Sequence, residues 1–316
     1  MKRIPGIFLT VVIVALLTAC GSATDTIKQK TKVKIAYLPI VHALPLFVEN
    51  ELSKEKFENI EIELVKFGSW PELMDALNTG KVDGASVLIE LAMKAKEQGI
   101  GIKAVALGHR DGNAVIVSQD IQSTADLKGK TFAIPHRLST HNILLNIMLK
   151  NAGLSINDLK IVELPPPEMP AALSEGRISG YIVAEPFGAK SVANGKGKAL
   201  YQSKELWKDS ICCSLVLRDS FITNNSAAAQ ELVNKYIEAG EYIESNGEKV
   251  KDIAKQYMKL EQNVLDLSLQ WVKYKDLKIN EKDYEDLRKH LLDLNLSKNP
   301  PAYKDFVDNT FIDRAK

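Results

Sequence analysis

The side chains of this sequence that could do chemistry are imidazoles, carboxylates, hydroxyls and one indole. Each stands where an apolar run gives way to a turn or a helix start: His42, Trp70, Glu90, His109, His136, Ser139, Thr140, Glu168 and Glu185. An imidazole next to a carboxylate can move a proton or hold a solute by hydrogen bonds. His136 with Glu168 or Glu185 would supply such a pair. No Gly-rich phosphate loop, His-x-x-x-His pair or Cys-x-x-Cys spacing accompanies them, so no metal site and no cofactor are expected. Noncovalent capture of a small molecule is the chemistry this set supports best, and an acid–base enzyme is the rival.

The local contexts sharpen this reading. The segment Pro135-His136-Arg137-Leu138-Ser139-Thr140 follows a short apolar run and precedes a helical one. Ser139 or Thr140 is therefore a helix N-cap, and one of them could also touch a ligand beside the free backbone N–H groups of the helix start. His42 follows the first apolar run. Trp70, between Gly68-Ser69 and Pro71, is expected half-exposed in a cleft. His109 lies in a polar loop that reads equally as a solvated turn or as part of a site. Glu185 follows an apolar run and precedes Pro186, which constrains its backbone and aims it at the cleft. His141 and His290 read as surface helix residues. With three carboxylates and few cations besides Arg137, the set suits a ligand that carries N–H or O–H donors better than a bare oxyanion.

The elements that position these residues are βα units. Strand-like runs at 33–39, 60–67, 82–87, 102–107 and 114–117 alternate with helical patterns at 43–54, 71–78 and 89–98. A second set follows: strands at 131–134, 161–164, 179–183 and 211–217, with helices at 124–127, 140–152, 171–174 and 188–192. Beyond residue 226 the pattern is helical, a C-terminal cap. The stretch Ala76-Leu-Asn-Thr-Gly80-Lys-Val-Asp-Gly84 echoes Ala172-Leu-Ser-Glu-Gly176-Arg-Ile-Ser-Gly180. Both end a helix at Gly and enter a buried strand. The reading is an α/β protein of two similar lobes with the ligand between them, at the carboxyl ends of strands.

Of the 316 residues, 45% are hydrophobic and 26% charged, which supports two packed cores and excludes disordered and collagen-like classes. Lys and Arg number 41 against 40 Asp and Glu, so nothing points to nucleic acid as a partner. Lys2 and Arg3 precede an apolar run at 7–17 that is too short to cross a membrane comfortably, the pattern of an export signal. Leu17-Thr18-Ala19-Cys20 is similar to the lipobox of bacterial lipoproteins, which implies cleavage before Cys20 and palmitate-type lipid on it. Removal of residues 1–19 leaves 39 basic against 40 acidic side chains, so ligand steering must be local. Residues 20–32 read as a polar tether. Cys212 and Cys213 lie in an apolar run typical of a buried strand, and a disulfide between neighbours would be strained.

At Pro165-Pro-Pro-Glu-Met-Pro-Ala-Ala-Leu-Ser-Glu-Gly176, Ala184-Glu-Pro-Phe-Gly-Ala189, Cys212-Cys-Ser-Leu-Val-Leu-Arg-Asp219 and Leu38-Pro-Ile, the sequence resembles the nitrate, sulfonate and taurine class of ABC-importer substrate-binding proteins. The resemblance weakens past about residue 260. It implies a two-lobed Venus-flytrap of the periplasmic-binding-protein type II, with lobe 1 at 33–117 plus 218–316 and lobe 2 at 118–217. It further implies an extracytoplasmic, lipid-anchored monomer that delivers a small solute to a permease and its ATPase. Relatives that bind thiamine-precursor pyrimidines or flavins, and fold-mates that make cofactors, keep the solute open.

Overall fold

The computed structural model describes residues 30–315. The export signal, Cys20 and most of the tether lie outside them. In chain order the strands are β1 (Thr31–Tyr37), β2 (Ile60–Lys66), β3 (Gly84–Leu88), β4 (Ile102–Leu107), β5 (Arg110–Asp111) and β6 (Asn113–Val117). They continue with β7 (Thr131–Ile134), β8 (Lys160–Glu163), β9 (Gly180–Ala184), β10 (Lys198–Gln202), β11 (Cys213–Arg218) and β12 (Val272–Lys273). The helices that carry the site and its cover are α1 (Leu44–Ser53), α2 (Trp70–Asn78), α3 (Ile89–Glu97), α4 (Thr140–Asn151), α5 (Met169–Ser174) and α6 (Phe187–Ala193). After them come α7 (Ser203–Leu206), α8 (Asp219–Asn224), α9 (Ser226–Ser245), α10 (Gly247–Met258) and α11 (Gln262–Trp271).

Two five-stranded sheets form the framework, ordered β2-β1-β3-β11-β4 and β8-β7-β9-β6-β10. The two have the same plan. In each, three parallel strands are followed by one that runs antiparallel to both its neighbours, β11 in the first sheet and β6 in the second. The internal echo falls on this symmetry. Gly80 and Gly176 end α2 and α5 with φ of 75° and 69°, which only glycine adopts freely. The chain then enters the central strands β3 and β9. Their first residues, Gly84 and Gly180, have no room for a side chain: a Cβ would lie 2.6 Å from Leu217 Cδ2 in one and 2.8 Å from Phe132 Cε2 in the other.

Each sheet takes its antiparallel strand from chain that arrives from, or departs for, the other. β6 belongs to the second sheet and β11 to the first. The strands therefore change sheets at 108–112 and 203–212, earlier than the crossings near Ser118 and Leu217 read from the sequence. Both strands are buried on both faces (burial pattern unbroken through β6), so their apolar pattern carries no mark of the sheet to which they belong. β10 was not read as a strand at all: it is an edge strand of half-buried residues with a register shift and no alternation.

One apolar core runs continuously from β1, β3 and β4 through Ala114, Ile116 and Tyr181 of the second sheet. A smaller core fills the opposite face of that sheet, where Val115, Val117, Phe132 and Ile182 pack on Leu144, Leu145 and Met148 of α4. The C-terminal helices cover the first sheet through α1, α9 and α10, and α11 reaches across to α6 beside the second.

Candidate functional site

The carboxyl ends of β1, β3, β4, β7 and β9 meet the amino end of β11 along the seam between the sheets. Backbone bonds close the seam: Val41 N–H donates to Glu185 O over 3.0 Å, Glu185 N–H to Gly112 O over 3.3 Å, and Ile89 N–H to Cys212 O over 2.8 Å. Residues just past these strand ends are therefore buried and in contact.

Glu90 opens α3 and faces Thr140, the first residue of α4. Ser139 caps that helix: its Oγ accepts from Asn142 N–H at 3.3 Å and donates to His136 O at 2.6 Å. Thr140 Oγ1 is bonded to the Glu90 carboxyl and lies 2.7 Å from Ile211 O. A hydroxyl has one proton, and a carbonyl only accepts. Both contacts are satisfied if Thr140 donates to Ile211 and Glu90 is protonated and donates to Thr140. Burial holds the Glu90 carboxyl well above the usual carboxylate range, which agrees with this assignment.

His42 sits in the single turn between β1 and α1, stacked on His109 with ring centroids 3.4 Å apart and planes 26° from parallel. Its Nε2 is 2.9 Å from Gly112 O and its Nδ1 is 3.6 Å from Cys213 Sγ. The Cys212 and Cys213 sulfurs are 3.8 Å apart, both free thiols. His42, His109, Cys212 and Cys213 each offer a ligand atom within 4.8 Å of the others, and are the residues that could hold a metal ion. His141, next to Thr140, is fully buried, and neither its ring nitrogens nor those of His109 have a hydrogen-bond partner. Burial first, then the neighbouring His42, pulls His109 down to about 4, and burial takes His141 to about 4 as well, so both rings are neutral at pH 7. Burial raises the Cys213 thiol well above its ordinary range.

Glu185 is buried on the far side of the seam. Its Oε2 accepts from Ala189 N–H in the first turn of α6 at 2.8 Å and lies 3.3 Å from Ser268 Oγ of α11, whose own proton goes to Val264 O at 2.7 Å. Burial raises its carboxyl to about 8. Outside the seam, a cavity of about 220 Å³ is lined by Ser69, Trp70, Pro71, Pro135, His136, Glu163 and Leu164–Pro166, residues from both sheets. An open groove of about 510 Å³ adjoins it along Pro39, Phe67, Pro186 and Phe187. A further cavity of about 450 Å³ lies among α9, α10 and α11 beside β12, away from the seam.

Several expectations change. Trp70 is not half-exposed: as the first residue of α2 it is 1% accessible and lines the cavity. His109 is a buried seam residue rather than a solvated turn. His141 is buried, not on the surface, because α4 packs against the seam at its first turn. His290 is half-buried, its ring 4.6 Å from that of Trp207. Glu168 is exposed at the start of α5 and joins neither group. Arg137 is exposed and paired with Glu163 at 3.0 Å. The sequence reading missed the convergence of both cysteines with the two imidazoles. The available signal was that four of the five histidines, His42, His109, His136 and His141, follow strand ends.

The model of the NMT1-like family matches residues 27–258, most of the sequence. The chain belongs to the NMT1-like family. Among curated proteins, this NMT1-like chain is 25% identical over 240 residues to the nitrate/nitrite binding protein NrtA of Nostoc sp., covering 68% of the chain and 54% of that protein. It thus spans about half or less of the length of the first curated relatives it matches. Among solved structures it is 41% identical to the ligand binding component of an ABC-type import system from Staphylococcus aureus with zinc bound, with a TM-score of 0.86 and coverage of 91% of this chain and 99% of that one. The periplasmic nitrate-binding protein NrtA from Synechocystis shares the fold, with a TM-score of 0.80, 18% identity and coverage of 91% and 88%. The two-lobed α/β periplasmic-binding-protein architecture read from the sequence is thereby shown.

Proposed function

We propose that this chain is the solute-binding component of an ABC importer, taking a small molecule between its lobes and presenting it to a membrane permease with its ATPase. The observation that carries the reading is the seam: two sheets of one plan meet at their strand ends and bury polar atoms without partners there, including Glu90 Oε2 and both nitrogens of His109 and His141. The 41% identical relative is itself named as a component of an import system, which supports the same role here. Lobes divided where the strands change sheets, at 108–112 and 203–212, a monomer, export and attachment through lipid on Cys20 complete the proposal. Among the described residues no helix is long and apolar enough to cross a membrane.

Binding without chemistry is the reading supported by how the candidate acid–base groups are used. His136 Nδ1 accepts from Leu138 N–H, Glu185 is engaged with α6 and α11, and Glu168 is exposed. His136 is thus not paired with Glu168 or Glu185. The solute is taken to contact Trp70 and His136 at the cavity and Ser139, Thr140 and Glu90 deeper in the seam. The nitrate relative favours a small oxyanion; the absence of any buried Lys or Arg among the described residues favours instead a solute with its own donors, such as a nitrogen heterocycle. A thermal-shift panel decides. A ligand at a hundredfold excess over Kd raises stability by about 2.7 kcal/mol, so nitrate, taurine, sulfonates, pyrimidines and flavins are separable, and a panel without any shift, together with turnover of a cofactor precursor, refutes the role.

A further inference from the structure

Four donor side chains converge where both crossings between the sheets pass. His42 follows β1, His109 leads into the first crossing, and Cys212 and Cys213 end the second. We propose that His42, His109, Cys212 and Cys213 bind one thiophilic transition-metal ion of the zinc(II) type, held tetrahedrally at the base of the seam. Only the coupling of this ion to lobe closure rests on the flytrap reading above.

Two of the spacings are already those of a metal site, and His109, stacked on His42 with ring centroids 3.4 Å apart, tilts out of that stack to bring a nitrogen to the ion. With bonds of about 2.3 Å to sulfur and 2.0–2.1 Å to nitrogen, a tetrahedron sets two sulfurs about 3.8 Å apart and a sulfur and a nitrogen about 3.5 Å apart. The two sulfurs are 3.8 Å apart, and His42 Nδ1 is 3.6 Å from Cys213 Sγ. The tautomer is set as well. The Gly112 carbonyl can only accept, so the proton of His42 is on Nε2, and the Nδ1 lone pair is turned toward the sulfurs. Ligating imidazoles are characteristically oriented by such a bond from the other nitrogen. His109 is buried with neither nitrogen satisfied, a cost that coordination removes.

Charge agrees with this choice of ion. Coordination releases the two thiol protons, and a divalent ion with two thiolates and two neutral imidazoles is neutral. A seam without buried Lys or Arg tolerates that centre, whereas an unpaired charge there would be strongly disfavoured. Two sulfurs and two nitrogens suit zinc and disfavour magnesium or calcium, which take oxygen donors. His141, from α4 beside the second sheet, is buried with neither ring nitrogen partnered, and the neighbouring Thr140 is bonded to Ile211 O, next to Cys212, so an ion at the cysteines is tied to the position of the second sheet.

The test uses the mature protein, stripped of metal and kept reduced. Zn²⁺ is titrated against a chromophoric chelator and Co²⁺ is used as a spectroscopic probe. One ion per chain is expected, with sulfur-to-cobalt charge-transfer absorption and the intense visible bands of a tetrahedral site. Cys212→Ser, Cys213→Ser and His109→Ala should each weaken Zn²⁺ binding by at least tenfold to a hundredfold, the size of effect that even outer partners of metal ligands show. The wild-type cobalt spectrum needs no variant, so poor folding of a variant leaves the test intact: a spectrum without sulfur-to-cobalt absorption overturns the site. Zn²⁺ uptake that survives in folded serine variants also overturns it, by placing the ion elsewhere. The solute panel run on the same material separates the two readings. A shift with an organic solute and no Zn²⁺ uptake removes the metal site and keeps the importer role. Uptake lost in the variants, without a decrease in radius of gyration by X-ray scattering on binding, establishes the site and removes its coupling to closure.

Discussion

Replacing Glu185 by Gln should flatten the pH dependence of stability in a window set by one buried carboxyl. Glu185 is fully buried, with Oε2 held by Ala189 N–H and 3.3 Å from Ser268 Oγ, and Oε1 unpartnered. Its pKa rises by burial from the ordinary value of 4.5 to about 8. Between those values the folded protein keeps a proton that the unfolded chain has released. The contribution of Glu185 is therefore fully present below pH 4.5 and is lost as pH rises toward 8. Each pH unit in the window corresponds to about 1.4 kcal/mol, so the ceiling is about 5 kcal/mol, and water entering the site reduces it. Glu90 shifts in the same direction, so the variant removes only part of the slope. Gln keeps the acceptor for Ala189 and has no proton to lose. Denaturant unfolding at intervals from pH 5 to pH 9 should give wild type and Glu185→Gln near-equal stability at pH 5, with the variant the more stable at pH 8 by an amount on the order of 1 kcal/mol or more. Parallel curves, or a variant that loses stability most at high pH, would refute the assignment of a neutral buried carboxyl.

Thr140→Val keeps the shape but leaves the Glu90 carboxyl and the Ile211 carbonyl without their shared partner, which should cost about 1 to 3 kcal/mol. Since Glu90 is on α3, which follows a strand of the first sheet, and Thr140 on α4, which follows a strand of the second, part of that loss should appear as a larger radius of gyration in solution scattering. Trp70→Ala should lower ligand-free stability by about 3 to 5 kcal/mol because the indole is 1% accessible; a loss of solute affinity with an unchanged melting temperature would return Trp70 to a purely binding role. Cys20→Ala should move the protein from the membrane to the soluble fraction, and its retention in membranes at full yield and processed length would refute lipid attachment.

The sequence made the two-fold plan legible because it is written in local chemistry. Gly80 and Gly176 need left-handed backbone and Gly84 and Gly180 need bare Cα atoms, so the echo survives in residue types. Most strands were visible for the same reason, each being a short apolar run closed by a turn. Assignment to a sheet was not, since β6 and β11 are apolar on both faces and their partners lie far along the chain.

The site divides along the same line. His42, Glu90, Ser139 and Thr140 were recognisable from their places past strand ends or at a helix start, which is a local property. Cys212 and Cys213 were not, because an apolar run around two cysteines gives the same pattern whether their thiols face carbon or imidazole. What separates the two cases is the register of β11 against β3 and β4, which sets Cys213 opposite Leu88 and next to Gly108, one residue from His109. The backbone bond from Gly108 N–H to Cys213 O, 2.8 Å long, ties the histidine loop to the cysteine pair. A pairing between residues more than a hundred positions apart therefore decides whether these thiols are core or ligand, and a motif search confined to neighbours along the chain has no access to it.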